Sequence, residues 1–144
     1  MREAESHRTA LGAQAGRVLV AEDNESNYEL IRDLVEGCGW RVTWAEEGAE
    51  AVAAIHRQPF DLLLLDLHMP GVDGVEALRR LYADPPRYLP RIVVVTADIF
   101  YGVRADLEAL GVDSMLAKPI DLAGLAHVLE TTPISKGAPG TAGP

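Results

Sequence analysis

Two runs of apolar residues constrain the fold more than anything else in this chain: FDLLLLD at 60–66 and RIVVV at 91–95. Neither alternates apolar with polar positions, so a strand made from either must bury both of its faces. Parallel strands covered on both sides by crossover helices meet that demand; an antiparallel sheet with one wet face does not. Three more strands are expected at RVLVA (17–21), WRVTW (40–44) and DSMLA (113–117). Between them, helical spacing places Tyr28, Ile31, Leu34, Val35 and Cys38 on one face, then Ala51 and Ile55, then Val75, Leu78 and Leu81. Val103, Leu107 and Leu110 form a fourth face, and Leu122, Leu125 and Leu129 a last one, with Asp121 as its N-cap. The repeated β-α pattern is that of a doubly wound α/β fold with a five-stranded parallel sheet and five helices.

The chain's 144 residues suit one domain. The expected domain spans residues 16–131, because residues 1–15 are poor in large apolar side chains and 132–144 (TPISKGAPGTAGP) are rich in Gly, Pro, Ala and Thr. Both ends read as flexible segments. A net charge of −9 and the lack of any basic run argue against a nucleic-acid-binding surface. No apolar stretch is long enough to span a membrane and the N-terminus lacks a signal-peptide core, so no membrane partner and a cytoplasmic location are expected. Cys38 is the only cysteine, which excludes an internal disulfide, and it reads as a small core residue.

In open parallel sheets, ligands bind beyond the carboxyl ends of the strands. Glu22-Asp23-Asn24 follow the first strand, Asp66 ends the third, Thr96 follows the fourth and Lys118-Pro119 follow the fifth. The fold therefore draws three carboxylates, a hydroxyl and an ammonium into one crevice, although they are spread from residue 22 to residue 118. Crowded carboxylates repel one another unless a cation sits among them, and a hard, oxygen-seeking ion such as Mg²⁺ suits such donors while leaving room for phosphate oxygens. An ionised carboxylate can attack phosphorus without a general base, with metal and lysine neutralising the equatorial oxygens. Asp66, central in the set, is the expected nucleophile. Asp73, Gly74 and Gly71 read as turn residues, and Trp40 and Trp44, on one face of the second strand, as packing.

The motifs VLVAEDN (18–24), LLLLDLHMPGVDG (62–74), VVVTAD (93–98) and AKPIDL (117–122) together resemble the response regulator receiver family, of the chemotaxis regulator type, across residues 16–131. The resemblance implies a flavodoxin-like three-layer sandwich with strand order 2-1-3-4-5. It implies that Asp66 accepts a phosphoryl group, that Asp23, Asp66 and the main-chain carbonyl of His68 hold Mg²⁺, and that Glu22 acts on the metal through water. Thr96 and Lys118 would contact the phosphoryl group, with a cis bond before Pro119. His68 and Asp98 would tune the lifetime of the acyl phosphate. One position departs from the pattern: Met115 stands where the family often has the Tyr or Phe of its aromatic switch.

The function so implied is a signalling switch and not a turnover enzyme. The phosphoryl group would come from a histidine kinase or histidine phosphotransfer protein. The surface of the fourth helix, fifth strand and fifth helix would change on phosphorylation, which also admits a phosphorylation-dependent homodimer. AEDN, TAD and AKPIDL resemble receivers of hybrid histidine kinases and single-domain phosphorelay regulators. Two alternatives use the same residues differently. An aspartate-nucleophile phosphohydrolase would need a general acid where His68 stands, and an unphosphorylated interaction module would keep the fold alone.

Overall fold

Alternation along the strands explains the continuous apolar runs. In the computed structural model, which describes residues 16–69, 71–97, 105, 107–112 and 114–134, every residue of β3 (Leu62–Asp66) is buried. Leu63 and Leu65 point into one core with Leu19 and Val94; Leu62 and Leu64 point into the other with Val18, Val20, Val93 and Val95. Successive side chains of a strand face opposite sides, so a two-sided core needs an apolar residue at every position.

Around β3 lie β1 (Arg17–Ala21), β2 (Arg41–Ala45), β4 (Arg91–Thr96) and β5 (Met115–Ala117). The sheet order is β2-β1-β3-β4-β5 and every pairing is parallel. Helices α1 (Glu25–Gly37) and α5 (Leu122–Thr131) cover one face through Tyr28, Ile31, Val35, Leu125, Val128 and Leu129. Helices α2 (Gly48–Arg57) and α3 (Gly74–Ala83) cover the other. They are joined there by α4, helical at its described residues 105 and 107–109, through buried Leu107. This is the expected doubly wound fold. Val103 and Asp113 lie outside the described residues, as do the expected flexible segment at 1–15 and residues 135–144 of the tail.

Asn24, Asp73 and Asp121 cap α1, α3 and α5, each side chain accepting a backbone N–H of the first turn. Asp73 and Gly74 are thus the turn and helix-start residues expected of them. Thr132 is buried beyond α5, and Arg91 at the start of β4 donates to its hydroxyl at 2.8 Å and to Ser114 Oγ at 3.2 Å, fastening the end of α5 to the sheet.

Cys38 corrects the sequence reading. It is exposed, at the C-cap of α1, because the helix ends at Gly37 and Gly39 turns the chain away with φ 90°. The 3.6-residue spacing that put Cys38 on the apolar face has no meaning past the helix end. β2 starts one residue later than expected, leaving Trp40 just before it, and β4 runs one residue further to include Thr96.

α2 and α3 are tied at both ends. Near the carboxyl edge of the sheet, Gly48 N–H donates to Val72 O at 3.1 Å, an approach so close that a Cβ on Gly48 would overlap that carbonyl. At the far end, His56 Nδ1 lies 3.0 Å from Val52 O and Nε2 lies 2.7 Å from Asp84 O. Both partners are acceptors, so only the doubly protonated ring satisfies both. Its pKa is raised above the ordinary 6.5 by the bond to Val52 O and then that to Asp84 O. The bridge therefore stabilises the fold fully below pH 6.5 and loses its contribution as pH rises through the raised value. In denaturant titrations, His56→Gln is expected to flatten that decline with pH; an identical pH profile would show that the bridge contributes nothing.

Candidate functional site

Glu22 immediately follows β1 and is 1% exposed, its N–H donating to Ala45 O at 3.0 Å and so extending the β1–β2 ladder by one residue. Asp23, next in the chain, is exposed. Asp66 is the last residue of β3, also 1% exposed, and its neighbour in register on β4 is Val95. One carboxylate oxygen from each of Glu22, Asp23 and Asp66 lies within 4.8 Å of the others. The parallel order brings them together, because β1 and β3 are adjacent and run in the same direction.

Lys118 follows β5. Its main-chain N–H donates to Thr96 O at 3.0 Å, and its Nζ donates to Asp66 Oδ2 at 2.8 Å and lies 3.5 Å from Glu22 Oε1. The Lys118–Pro119 peptide is cis. Thr96, fully buried, ends β4 beside them. His68 is exposed, and its main-chain N–H donates to Asp66 Oδ1 at 3.0 Å. Glu22, Asp23, Asp66, Thr96 and Lys118 thus converge on one edge of the sheet. Pro70 and Asp98 lie outside the described residues. Met115 is half-buried in β5 and packs against the core shared by α2, α3 and α4.

Electrostatics at this edge are unbalanced. Burial, and then the charge of Asp66, raise the pKa of Glu22. For Lys118, burial works against the charged form, but the hydrogen bond and charge of Asp66, then the charge of Glu22, outweigh it and raise the pKa. Among the described residues one ammonium faces three carboxylates, two of them buried. All-oxygen, like-charged donors of this kind fit a hard divalent cation.

The sequence reading missed two contacts. The Trp44 indole Nε1–H donates to Glu22 O at 2.7 Å, and Asn24 N–H donates to Glu22 Oε2 at 3.2 Å. Trp44 read as packing because it shares a strand face with Trp40, and both do join the core under α1. Its hydrogen bond depends on the β1–β2 register, Val20 opposite Trp44.

A family model for the response regulator receiver domain matches residues 18–130. The sensor protein GacS of Pseudomonas syringae is 38% identical over 122 residues, which cover 83% of this chain but 14% of that protein. The chain therefore spans about one-seventh of this relative's length. The receiver domain of sensor histidine kinase PA1611 from Pseudomonas aeruginosa, solved with a magnesium ion coordinated in its active-site cleft, is 32% identical with a TM-score of 0.73, covering 81% of this chain and 95% of that one. The chemotaxis protein CheY4 of Vibrio cholerae, 23% identical with a TM-score of 0.76 over 83% of this chain and 99% of its own, shares the fold. Matched from β1 through nearly all of α5, the chain belongs to the response regulator receiver domain family of two-component and phosphorelay signalling.

Proposed function

We propose that Asp66 accepts a phosphoryl group from a phosphohistidine, with Mg²⁺ held by Asp23, Asp66 and the main-chain carbonyl of His68, and with Glu22 acting through water. One observation supports this above the others: Asp66 is buried, hydrogen-bonded to Lys118 at 2.8 Å, and within 4.8 Å of two further carboxylates. When bound, the cation supplies positive charge against the phosphoryl oxygens. The ionised Asp66 carboxylate needs no base: its oxygen forms the new O–P bond while the P–N bond breaks and its electron pair stays on the donor's imidazole nitrogen. Lys118 offers a point charge to one phosphoryl oxygen and Thr96 a hydroxyl to another.

The consequence is a switch. The surface of α4, β5 and α5 carries a groove of about 400 Å³ whose lining includes Arg91, Glu108, Ser114, Met115, Leu116 and His127. With a thioether at Met115 in place of a ring, a change at Thr96 reaches this surface through main-chain and packing shifts of β4 and β5, without rotation of an aromatic side chain. The partners are a histidine kinase or histidine phosphotransfer protein upstream, and downstream a protein that reads this surface or a second phosphorylated copy. Among the described residues no helix is long and apolar enough to cross a membrane.

The test is transfer from a phosphorylated histidine phosphotransfer protein, followed by loss of label from the donor and gain by this chain. Transfer is expected in Mg²⁺ and not in chelator. A folded chain that takes no label from several such donors in Mg²⁺, nor from phosphoramidate, would overturn the proposal.

A further inference from the structure

The Glu22–Asn24 loop, which carries two of the three clustered carboxylates, is held by an aromatic pair that the reaction chemistry does not account for. Trp44, the penultimate residue of β2, stacks on Tyr28 of α1 with ring centroids 4.4 Å apart and planes 4° from parallel. Tyr28 is the fourth residue of α1, and its N–H donates to Asn24 O at 3.0 Å. The same indole donates its N–H to Glu22 O at 2.7 Å, while Glu22 N–H donates to Ala45 O at 3.0 Å. Both polar groups of residue 22's main chain are therefore fastened to the end of β2, and the first turn of α1 is pressed onto that end by the stacked rings.

Asp23 lies between these two fixed points, one residue after the clamped carbonyl and one before the helix cap Asn24. An exposed aspartate in a free loop samples many rotamers and backbone states, and ordering it on cation binding costs affinity. A pre-fixed backbone removes most of that cost. We infer that Trp44 is a positioning residue of the cation site: through its hydrogen bond to Glu22 O and its stack on Tyr28, it presets the backbone that presents Glu22 and Asp23. The inference rests on the metal reading proposed above. Outer partners of metal ligands commonly govern affinity by about 10- to 100-fold, and Trp44 bonds the main chain of Glu22, which acts through water and directly precedes the ligand Asp23, while touching no ion itself.

Trp44→Phe keeps a six-membered ring to stack on Tyr28 and deletes the N–H donor together with the five-membered ring that carries it. Mg²⁺ titrations followed by backbone amide NMR shifts are expected to give a dissociation constant about tenfold weaker than wild type, with the unfolding midpoint in chelator close to that of wild type. In the unaltered protein, the indole N–H resonance absent from the Trp44→Phe spectrum is expected to move on the same Mg²⁺ curve as the Asp23 amide, while that of Trp40 stays still. This second readout needs no variant to bind the ion. Affinity in Trp44→Phe within twofold of wild type, or a Trp44 indole resonance indifferent to Mg²⁺, would overturn the inference alone. A wild type that takes up no Mg²⁺ would overturn the metal reading and this inference with it.

Discussion

Replacing Lys118 with Met is expected to cost about 2 kcal/mol of folding stability in chelator, below the range for breaking a fully buried ion pair because the Lys118 side chain is 22% exposed while both carboxylates are buried. Glu22 and Asp66 are each 1% exposed, and Lys118 Nζ lies 3.5 Å and 2.8 Å from them. Without the ammonium, two buried carboxylates face each other with no counter-charge among the described residues. Added Mg²⁺ is expected to recover part of the loss, because a cation that binds only the folded state stabilises it by mass action. Lowering the pH should recover it too. The pKa of Glu22 is already raised above the ordinary 4.5, by burial and then by Asp66. A carboxyl group raised on folding favours the folded state below 4.5 and ceases to do so as pH rises through its raised value. The variant's deficit should therefore be largest at neutral pH and smallest in acid. Urea titrations at two pH values, with and without Mg²⁺, read all three effects; a deficit that ignores both pH and Mg²⁺ would mean that Lys118 matters only for packing.

Asp66→Asn is expected to abolish phosphoryl uptake while leaving the fold intact. The amide is close to isosteric and accepts the His68 N–H as the carboxylate does at 3.0 Å, but its oxygen is not the charged nucleophile that attack on phosphorus requires. Stability should not fall with activity. Asp66 is the second cause, after burial, of Glu22's raised pKa, so removing its charge relieves a like-charge contact and leaves Lys118 to Glu22. Transfer below detection in a variant at least as stable as wild type in chelator is the expected pair of results. Unaltered uptake by Asp66→Asn would move the acceptor elsewhere.

The two features that placed the candidate site were both readable along the chain. Unbroken apolar runs at 62–65 and 92–95 require strands buried on both faces, and the residue after or ending each such strand then falls on one edge. Asp66 and Thr96 come together for that reason, and Glu22 and Lys118, which follow the parallel strands β1 and β5, fall on the same edge. The features that could not be read depend on where regular structure stops and on side chains that cross between elements. Cys38 continues the apolar spacing of α1, yet the helix has already ended, and only Gly39's positive φ decides that. Trp44's bond to Glu22 O links neighbouring strands through a side chain, so it requires the pairing register, which periodicity does not contain. His56 likewise reads as an ordinary helix residue until Asp84 O is placed 2.7 Å from its ring.

If Glu22, Asp23, Asp66 and Lys118 form one Mg²⁺-dependent centre whose acceptor is Asp66, locating the phosphoryl group tests it most directly. After incubation with phosphoramidate and Mg²⁺, borohydride reduction converts an acyl phosphate to the corresponding alcohol, and peptide mass mapping reads its position. Modification is expected at residue 66 alone, and absent in chelator. Modification at Glu22, Asp23 or His68, or an equal yield at residue 66 without Mg²⁺, would contradict that assignment.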